Sequence, residues 1–319
     1  MTNTKNNFFS VKRPGTNTTY QDLGRKNLNH IGLPVGGAMD IRNYKLANSL
    51  LSDDSETLIE FAYQGPLLKF NGKEVKFAIT GNVNFKIIRS KETEIGECYR
   101  SYNLKDGDQI DIISVLNSVY GYLAVEGGFQ TDLSFGSSST NTNARVGGNN
   151  GKKISNADQI ILNNKNSNNF TKKLNYINSK IEYIRVIKAT NYNYFTDISK
   201  NDFFTKEFTV SKFSDRMGMR LSGPVIKNNV STNIRSEGII KGVIQIPPDG
   251  SPIIMLSDHG TIGGYPKIAS VISADFDKVS QLPPGSKIKF EEITLKDAEN
   301  LYNLYNLETQ NLINQINQI

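Results

Sequence analysis

The residues best suited to chemistry crowd into one run, Leu256-Ser257-Asp258-His259-Gly260-Thr261-Ile262-Gly263-Gly264-Tyr265-Pro266. An imidazole titrates near neutrality and can move protons, while a carboxylate can serve as a base or orient the ring. Adjacent side chains on a strand point to opposite faces, so Asp258 and His259 converge only if a turn rotates them together. They are the candidate catalytic residues. A hydrogen-bonded core histidine is the plain structural alternative. Gly263 and Gly264 loosen the backbone ahead of Tyr265, whose phenol suits a carbonyl or carboxylate, so all three are candidate substrate-binding positions.

A second cluster, Ser214-Asp215-Arg216-Met217-Gly218-Met219-Arg220, offers guanidinium forks for bidentate carboxylate recognition. An internal ion pair, Arg216 with Asp215 or Arg220 with another acid, is the equal alternative. Gln21-Asp22-Leu23-Gly24-Arg25 repeats the acid–glycine–arginine theme, making Arg25 a further candidate. Gly36 and Gly37 precede a helix start, where backbone N–H groups can hold an anion, although Asp40 can cap those donors itself. In Ser137-Ser138-Ser139-Thr140 the G-x-S-x-G elbow is missing and no histidine is near, so Ser139 is read as binding backbone or substrate oxygens. Gly147-Gly148-Asn149-Asn150-Gly151-Lys152-Lys153 fails as a phosphate loop, with Val146 and Lys153 where glycine and Ser/Thr belong. A hairpin turn is the better reading there. Cys98 carries no signature of an activated thiolate and is read as structural.

The elements that must position these residues are mostly strands. Val75–Ile79, Ile110–Ile113, Tyr120–Val125, Gln159–Leu162, Tyr183–Ile187, Phe208–Phe213, Gly242–Ile246 and Ile253–Leu256 are apolar or alternating runs bounded by turn formers. Leu104–Ile110, Ile154–Ile160 and Leu282–Ile288 share one cadence, a turn feeding a strand, and hint at a repeated β module. Helices are predicted at Ile41–Leu51 behind the cap Asp40, at Ala274–Leu282, and along Leu295–Ile319. In the last, Leu301, Leu304, Tyr305, Leu312, Ile316 and Ile319 make an apolar stripe for its own domain or for a partner. The polar stretch Asn163–Ser179 reads as a linker dividing the chain into two β-rich halves, 1–165 and 166–319.

Composition narrows the functions. Two histidines and one cysteine cannot furnish a structural zinc site of the usual four-ligand Cys/His type, and one cysteine forms no internal disulfide. The net charge of +6 over 319 residues is spread thinly, without the basic stripe of a nucleic-acid binder. No run reaches the roughly 18 apolar residues of a membrane span, and the start lacks a signal-peptide core. A cytoplasmic protein binding neither membrane, nucleic acid nor metal is expected.

Six phrases in order extend this reading: Gln21–Arg25, Gly36–Asp40 with Ala47-Asn48, Tyr122–Gly128, Ser214–Gly218, Gln245–Pro247 and Asp258–Pro266. Together they resemble the carboxyltransferase family that includes allophanate hydrolase subunit 2, KipA-type proteins and the C subunit of 5-oxoprolinase. The resemblance departs at Gly260-Thr261-Ile262, where the family reads Gln-Thr-Thr, and at Ser138, where it often has arginine. It implies a mainly β fold, two cyclophilin-like β-barrel halves with a few short helices and a C-terminal helix. It also implies a KipI-like partner, similar to the B subunit of 5-oxoprolinase, with room for a third hydrolase subunit or a biotin carrier. The implied activity is ATP-dependent opening of 5-oxoproline to glutamate, with ATP handled by the complex. Biotin-dependent carboxyl transfer to urea or a related small amide, with biotin on a separate carrier, is one alternative. A non-catalytic KipA-like regulator of a kinase inhibitor is another.

Overall fold

The apolar runs form strands close to their predicted bounds. Val75–Ile79 widens to Glu74–Thr80, and Tyr120–Val125 is a strand over that span. Phe208–Phe213 stops at Val210, because the chain turns at Ser211, whose carbonyl accepts the Ser214 hydroxyl. A computed structural model describes residues 7–51, 56–163, 171–176, 181–231 and 233–318. Much of the predicted linker, 164–170 and 177–179, lies outside the described residues, as do Lys180 and Ile319. Among the described residues, no helix is long and apolar enough to cross a membrane.

The chain divides into two units. The first comprises Met1–Arg25, Asp40–Asn178 and Thr309–Ile319, and the second Lys26–Met39 and Ser179–Glu308. In the first, a six-stranded sheet runs Gln159–Ile161, Phe8–Arg13, Leu67–Asn71, Gln109–Val115, Val83–Ile88, Thr93–Ile95. A five-stranded sheet runs Thr19–Gln21, Leu58–Ala62, Tyr120–Val125, Glu74–Thr80, Ser101–Lys105. Phe9, Phe70, Phe85 and Ile110 from one sheet and Phe61, Phe77, Leu104 and Leu123 from the other share one buried core. Each such aromatic removes a large apolar area from water, and that burial is the main favourable term holding the sheets together.

The second unit is a closed barrel of seven strands in the order Tyr183–Lys188, Lys267–Val271, Val243–Gln245, Ile253–Met255, Gly218–Ser222, Phe208–Val210, Lys287–Glu292. Parallel pairing of Tyr183 with Lys289 closes the ring, so no edge is left open.

Helix α1 (Ile41–Ser49) starts where predicted: Asp40 accepts the Asn43 N–H at 2.9 Å. The glycine run at 147–151 is not a hairpin turn. It forms a single turn, α2 (Gly148–Gly151), with Asn149 and Asn150 at positive φ. Gly147 fits only as glycine, since a Cβ there would lie 2.0 Å from the Ser139 carbonyl oxygen. Helix α3 (Asp197–Thr205) stacks Phe203 on Phe290 at 4.4 Å. The predicted helix at 274–282 is the shorter α4 (Phe276–Ser280). Helix α5 (Leu295–Asn314) ends before Ile316, and its buried side carries Ala298, Leu301 and Tyr305 against Ile272. Leu304 is 52% exposed, because one residue from Tyr305 is 100° around the helix.

The shared cadence folds the same way three times. Asp108, Asp158 and Ser286 donate N–H bonds to Lys105, Ser155 and Pro283, closing one turn per phrase. The third residue of each turn, Gly107, Ala157 or Gly285, has positive φ. Each turn then exchanges two backbone hydrogen bonds with one strand residue: Phe70, Val11 and Val210 respectively. The repeat lies in backbone pairing, and in the first two copies the Asp108 and Asp158 carboxylates also accept the Lys105 and Ser155 N–H groups.

Candidate functional site

Of the predicted site residues, Arg25 and Ser139 lie in the first unit and the others in the second. Antiparallel pairing of Gly218 with Met255 and Arg220 with Ile253 continues past the strand ends, where Asp258 donates its N–H to the Arg216 carbonyl at 2.9 Å. That register sets the side chains face to face. Arg216 grips Asp258 through Nε–Oδ2 at 2.8 Å and Nη2–Oδ1 at 3.1 Å, and Nη2 also donates to the Gly37 carbonyl at 2.7 Å. The side chains are only 12% and 6% exposed, so the pair is desolvated. The sequence alternative pairing Arg216 with Asp215 is corrected: Asp215 accepts the Met217 and Gly218 N–H groups and shapes the turn.

Asp258 and His259 share no hydrogen bond. Both Asp258 oxygens are held by Arg216, while His259 Nδ1 lies 2.7 Å from the Gly260 carbonyl oxygen. A carbonyl only accepts, so Nδ1 carries the proton and Nε2 keeps its lone pair. Burial is the main cause holding the His259 pKa below 6.5; Lys241 pushes the same way, against the Gly260 bond and Asp258. The result is a neutral imidazole of fixed tautomer at neutral pH.

The Gly36-Gly37 pair is not an open anion nest. Gly36 gives its N–H to the Ser257 carbonyl at 3.2 Å, and Gly37 presents its carbonyl to Arg216. Gly263 lies in the short strand Ile262–Gly263, paired with Glu237–Gly238. A Cβ on Gly263 would lie 2.3 Å from Ile239 Cδ1 and 2.8 Å from Gln245 Nε2, so a side chain there would have to displace both of those side-chain ends. Gly264 has the Ile234 carbonyl oxygen 3.0 Å from where its Cβ would be. Tyr265 is 37% exposed, and its carbonyl accepts Gln245 Nε2 at 3.2 Å.

In the first unit the serine phrase is knitted to the phrase containing Arg25. Asp22 accepts the Ser137 hydroxyl at 2.7 Å, the Ser138 N–H at 2.7 Å and the Ser138 hydroxyl at 3.1 Å. Ser139 Oγ donates to Gln21 Oε1 at 2.5 Å, and Arg25 donates to the Ser139 carbonyl. Ser139 is wholly buried and Arg25 nearly so, which makes this an internal clamp. A second network went unread in the sequence. Tyr122 donates to Glu60 Oε2 and accepts the Asp40 N–H, both at 2.8 Å, and Asn43 links Asp40 to the Tyr99 hydroxyl. Its signal was present: Glu60 is the lone charge in the apolar strand Leu58-Ile59-Glu60-Phe61-Ala62.

Cys98 lines a cavity of about 660 Å³ with Tyr99 and Tyr176. Burial pushes its thiol up to about 11, and Sγ donates to the Val83 carbonyl. At pH 7 that leaves about 1 thiolate in 10⁴, against roughly 3 in 100 for an ordinary cysteine. Because a thiolate of higher pKa is also more nucleophilic, iodoacetamide should label the native protein on the order of 20- to 30-fold more slowly than a free thiol. A rate within tenfold of the free thiol would contradict this environment. Among the described residues, no group of three or more His, Cys, Asp or Glu is placed to hold a metal.

Comparison with known proteins agrees with this architecture. Residues 31–292 match the carboxyltransferase domain, subdomain A and B. The C subunit of 5-oxoprolinase from Haemophilus influenzae is 32% identical over 292 residues, covering 89% of this chain and 90% of the relative. That of Escherichia coli is 29% identical, covering 91% and 93%. The crystal structure of K. lactis urea amidolyase superposes with a TM-score of 0.85 at 26% identity, covering 96% of this chain but only 20% of that larger one. The chain belongs to the family of carboxyltransferase domains built from subdomains A and B.

Proposed function

We propose that this chain is part of a heteromeric, ATP-dependent 5-oxoprolinase-type complex that opens 5-oxoproline to glutamate beside a KipI-like subunit. The observation that carries this reading is the end-to-end match, over about nine-tenths of both chains, with relatives named as the C subunit of 5-oxoprolinase. Opening the lactam adds water to the ring carbonyl, breaks its C–N bond and places a proton on nitrogen. His259 suits the proton steps: its Nε2 lone pair takes a proton from the attacking water and returns it to the leaving nitrogen. Asp258 acts one step back, holding Arg216 and through it the Gly37 carbonyl. ATP is assigned to another subunit, because the glycine turn at 147–151 is packed on the Ser139 carbonyl and lacks the phosphate-loop pattern.

One observation favours a second reading. The fold match to urea amidolyase supports biotin-dependent carboxyl transfer to urea or a similar small amide, with biotin on a separate carrier. The deciding experiment is co-expression with the products of neighbouring genes, followed by assay of glutamate formed from 5-oxoproline and ATP. Glutamate from the purified complex supports the first reading. An intact complex that forms none overturns it, and carboxylation of urea by a biotinylated carrier then tests the second.

A further inference from the structure

Lys267 follows Gly263-Gly264-Tyr265-Pro266 and opens a barrel strand, and its side chain is only 6% exposed. A buried ammonium must find acceptors, because leaving the charge unpaired away from water is strongly unfavourable. It has three N–H donors, yet among the described residues its side chain makes a single hydrogen bond, to Glu237 Oε2. The partner comes from outside. Glu237 is 43% exposed and belongs to the two-residue strand Glu237–Gly238, flanked by the exposed Arg235 and Ser236.

Asn191 completes the arrangement. It precedes the short 3-10 turn Tyr192–Tyr194 but does not cap it with its side chain. Its Oδ1 instead accepts the Lys267 backbone N–H at 3.1 Å, and its amide lies close enough to Glu237 to help, after Lys267, to lower that carboxyl's pKa. A backbone N–H can only donate and a carboxylate can only accept, so the amide orientation is fixed with its NH₂ toward Glu237. Asn191 is 3% exposed, so the amide and the ammonium are set in the barrel wall. One cation and one oriented amide make a receptor for a carboxylate. The carboxylate now in it arrives on an exposed ribbon, which backbone bonds from Ile239 to Thr261 and from Ile234 to Gly264 hold in place.

We infer that Lys267 and Asn191 form a binding cradle for the carboxylate of a small organic acid, and that Glu237 occupies it as an internal competitor until such a ligand displaces it. The inference rests on the 5-oxoproline reading for its natural ligand, 5-oxoproline being a lactam that bears a carboxylate. The cradle itself requires only the carboxylate. Displacement exchanges one carboxylate for another on the same donors, so the charge balance at the buried ammonium is kept.

The test is calorimetric titration of the full chain with 5-oxoproline, glutarate and the uncharged lactam 2-pyrrolidinone. Glu237→Gln removes the competing charge and should tighten both acids by about tenfold, leaving 2-pyrrolidinone unchanged. Adding Lys267→Met to that variant should erase the gain. If the double variant does not fold, Asn191→Ala with Glu237→Gln should lose at least half of it. Glutarate bound no more tightly by Glu237→Gln than by the parent overturns the cradle, even where the complex turns over 5-oxoproline. Tightening of glutarate without 5-oxoproline upholds the cradle and removes 5-oxoproline as its ligand.

Discussion

Asp258→Ala should destabilise the protein by about 3–5 kcal/mol, among the largest effects expected of any single substitution in the second unit. The cause is the guanidinium left behind. Arg216 is 12% exposed and directs two bonds at Asp258, so removing the acid strands a buried cation with its main partner gone. Chemical denaturation should show a lower midpoint with an unchanged slope. Replacing both members, Arg216→Leu with Asp258→Leu, should cost less than Asp258→Leu alone, because no charge is then left unpaired. Arg216→Lys should fail to rescue, since one ammonium cannot reproduce the planar fork that reaches Asp258 and Gly37 together. An Asp258→Ala variant within about 1 kcal/mol of the parent would show that the pair is not holding the loop. A variant of parental stability but without turnover would restore Asp258 as a base.

That pair marks how far the sequence could be read. The strands were legible because each is a local run of apolar residues between turn formers, and the cap on α1 because Asp40 and Asn43 are three residues apart. Arg216 and Asp258 are 42 residues apart, and only the register of two strands brings them together. Nothing local to Arg216 distinguishes Asp258 from the adjacent Asp215, so the local pattern fits either partner equally. The clamp between the 21–25 and 137–140 phrases was hidden for the same reason, Asp22 and Ser137 being 115 positions apart. The assignment of Lys26–Met39 to the second unit likewise depends on long-range contacts, among them Gly36 to Ser257 and Gly37 to Arg216. A lysine opening an apolar strand reads locally as a solvated end, and only the burial of Lys267 shows otherwise.

His259→Ala should leave the complex assembled and lower turnover of 5-oxoproline by on the order of 10²-fold, the usual contribution of one positioned acid–base group. The pH dependence separates that role from a packing role. The base is the neutral imidazole, and the pKa held below 6.5 shifts it toward that form at pH 6.5, where an ordinary histidine is half protonated. The acid limb of kcat/KM should therefore fall below pH 6.5. Lys241→Gln removes a cation that opposes protonation of His259 and should move that limb upward. Stability follows the same protons. The unfolded chain takes up a proton near pH 6.5 while the folded one resists, so the contribution of the neutral ring is complete above that pH. It is lost as pH falls from 6.5 through the lower folded value. His259→Gln cannot titrate, so its stability should lack this component between those two values. Unchanged turnover in His259→Ala, with the acid limb in place, would remove the ring from the chemistry. The neutral tautomer bonded to Gly260 would then be a device of folding alone.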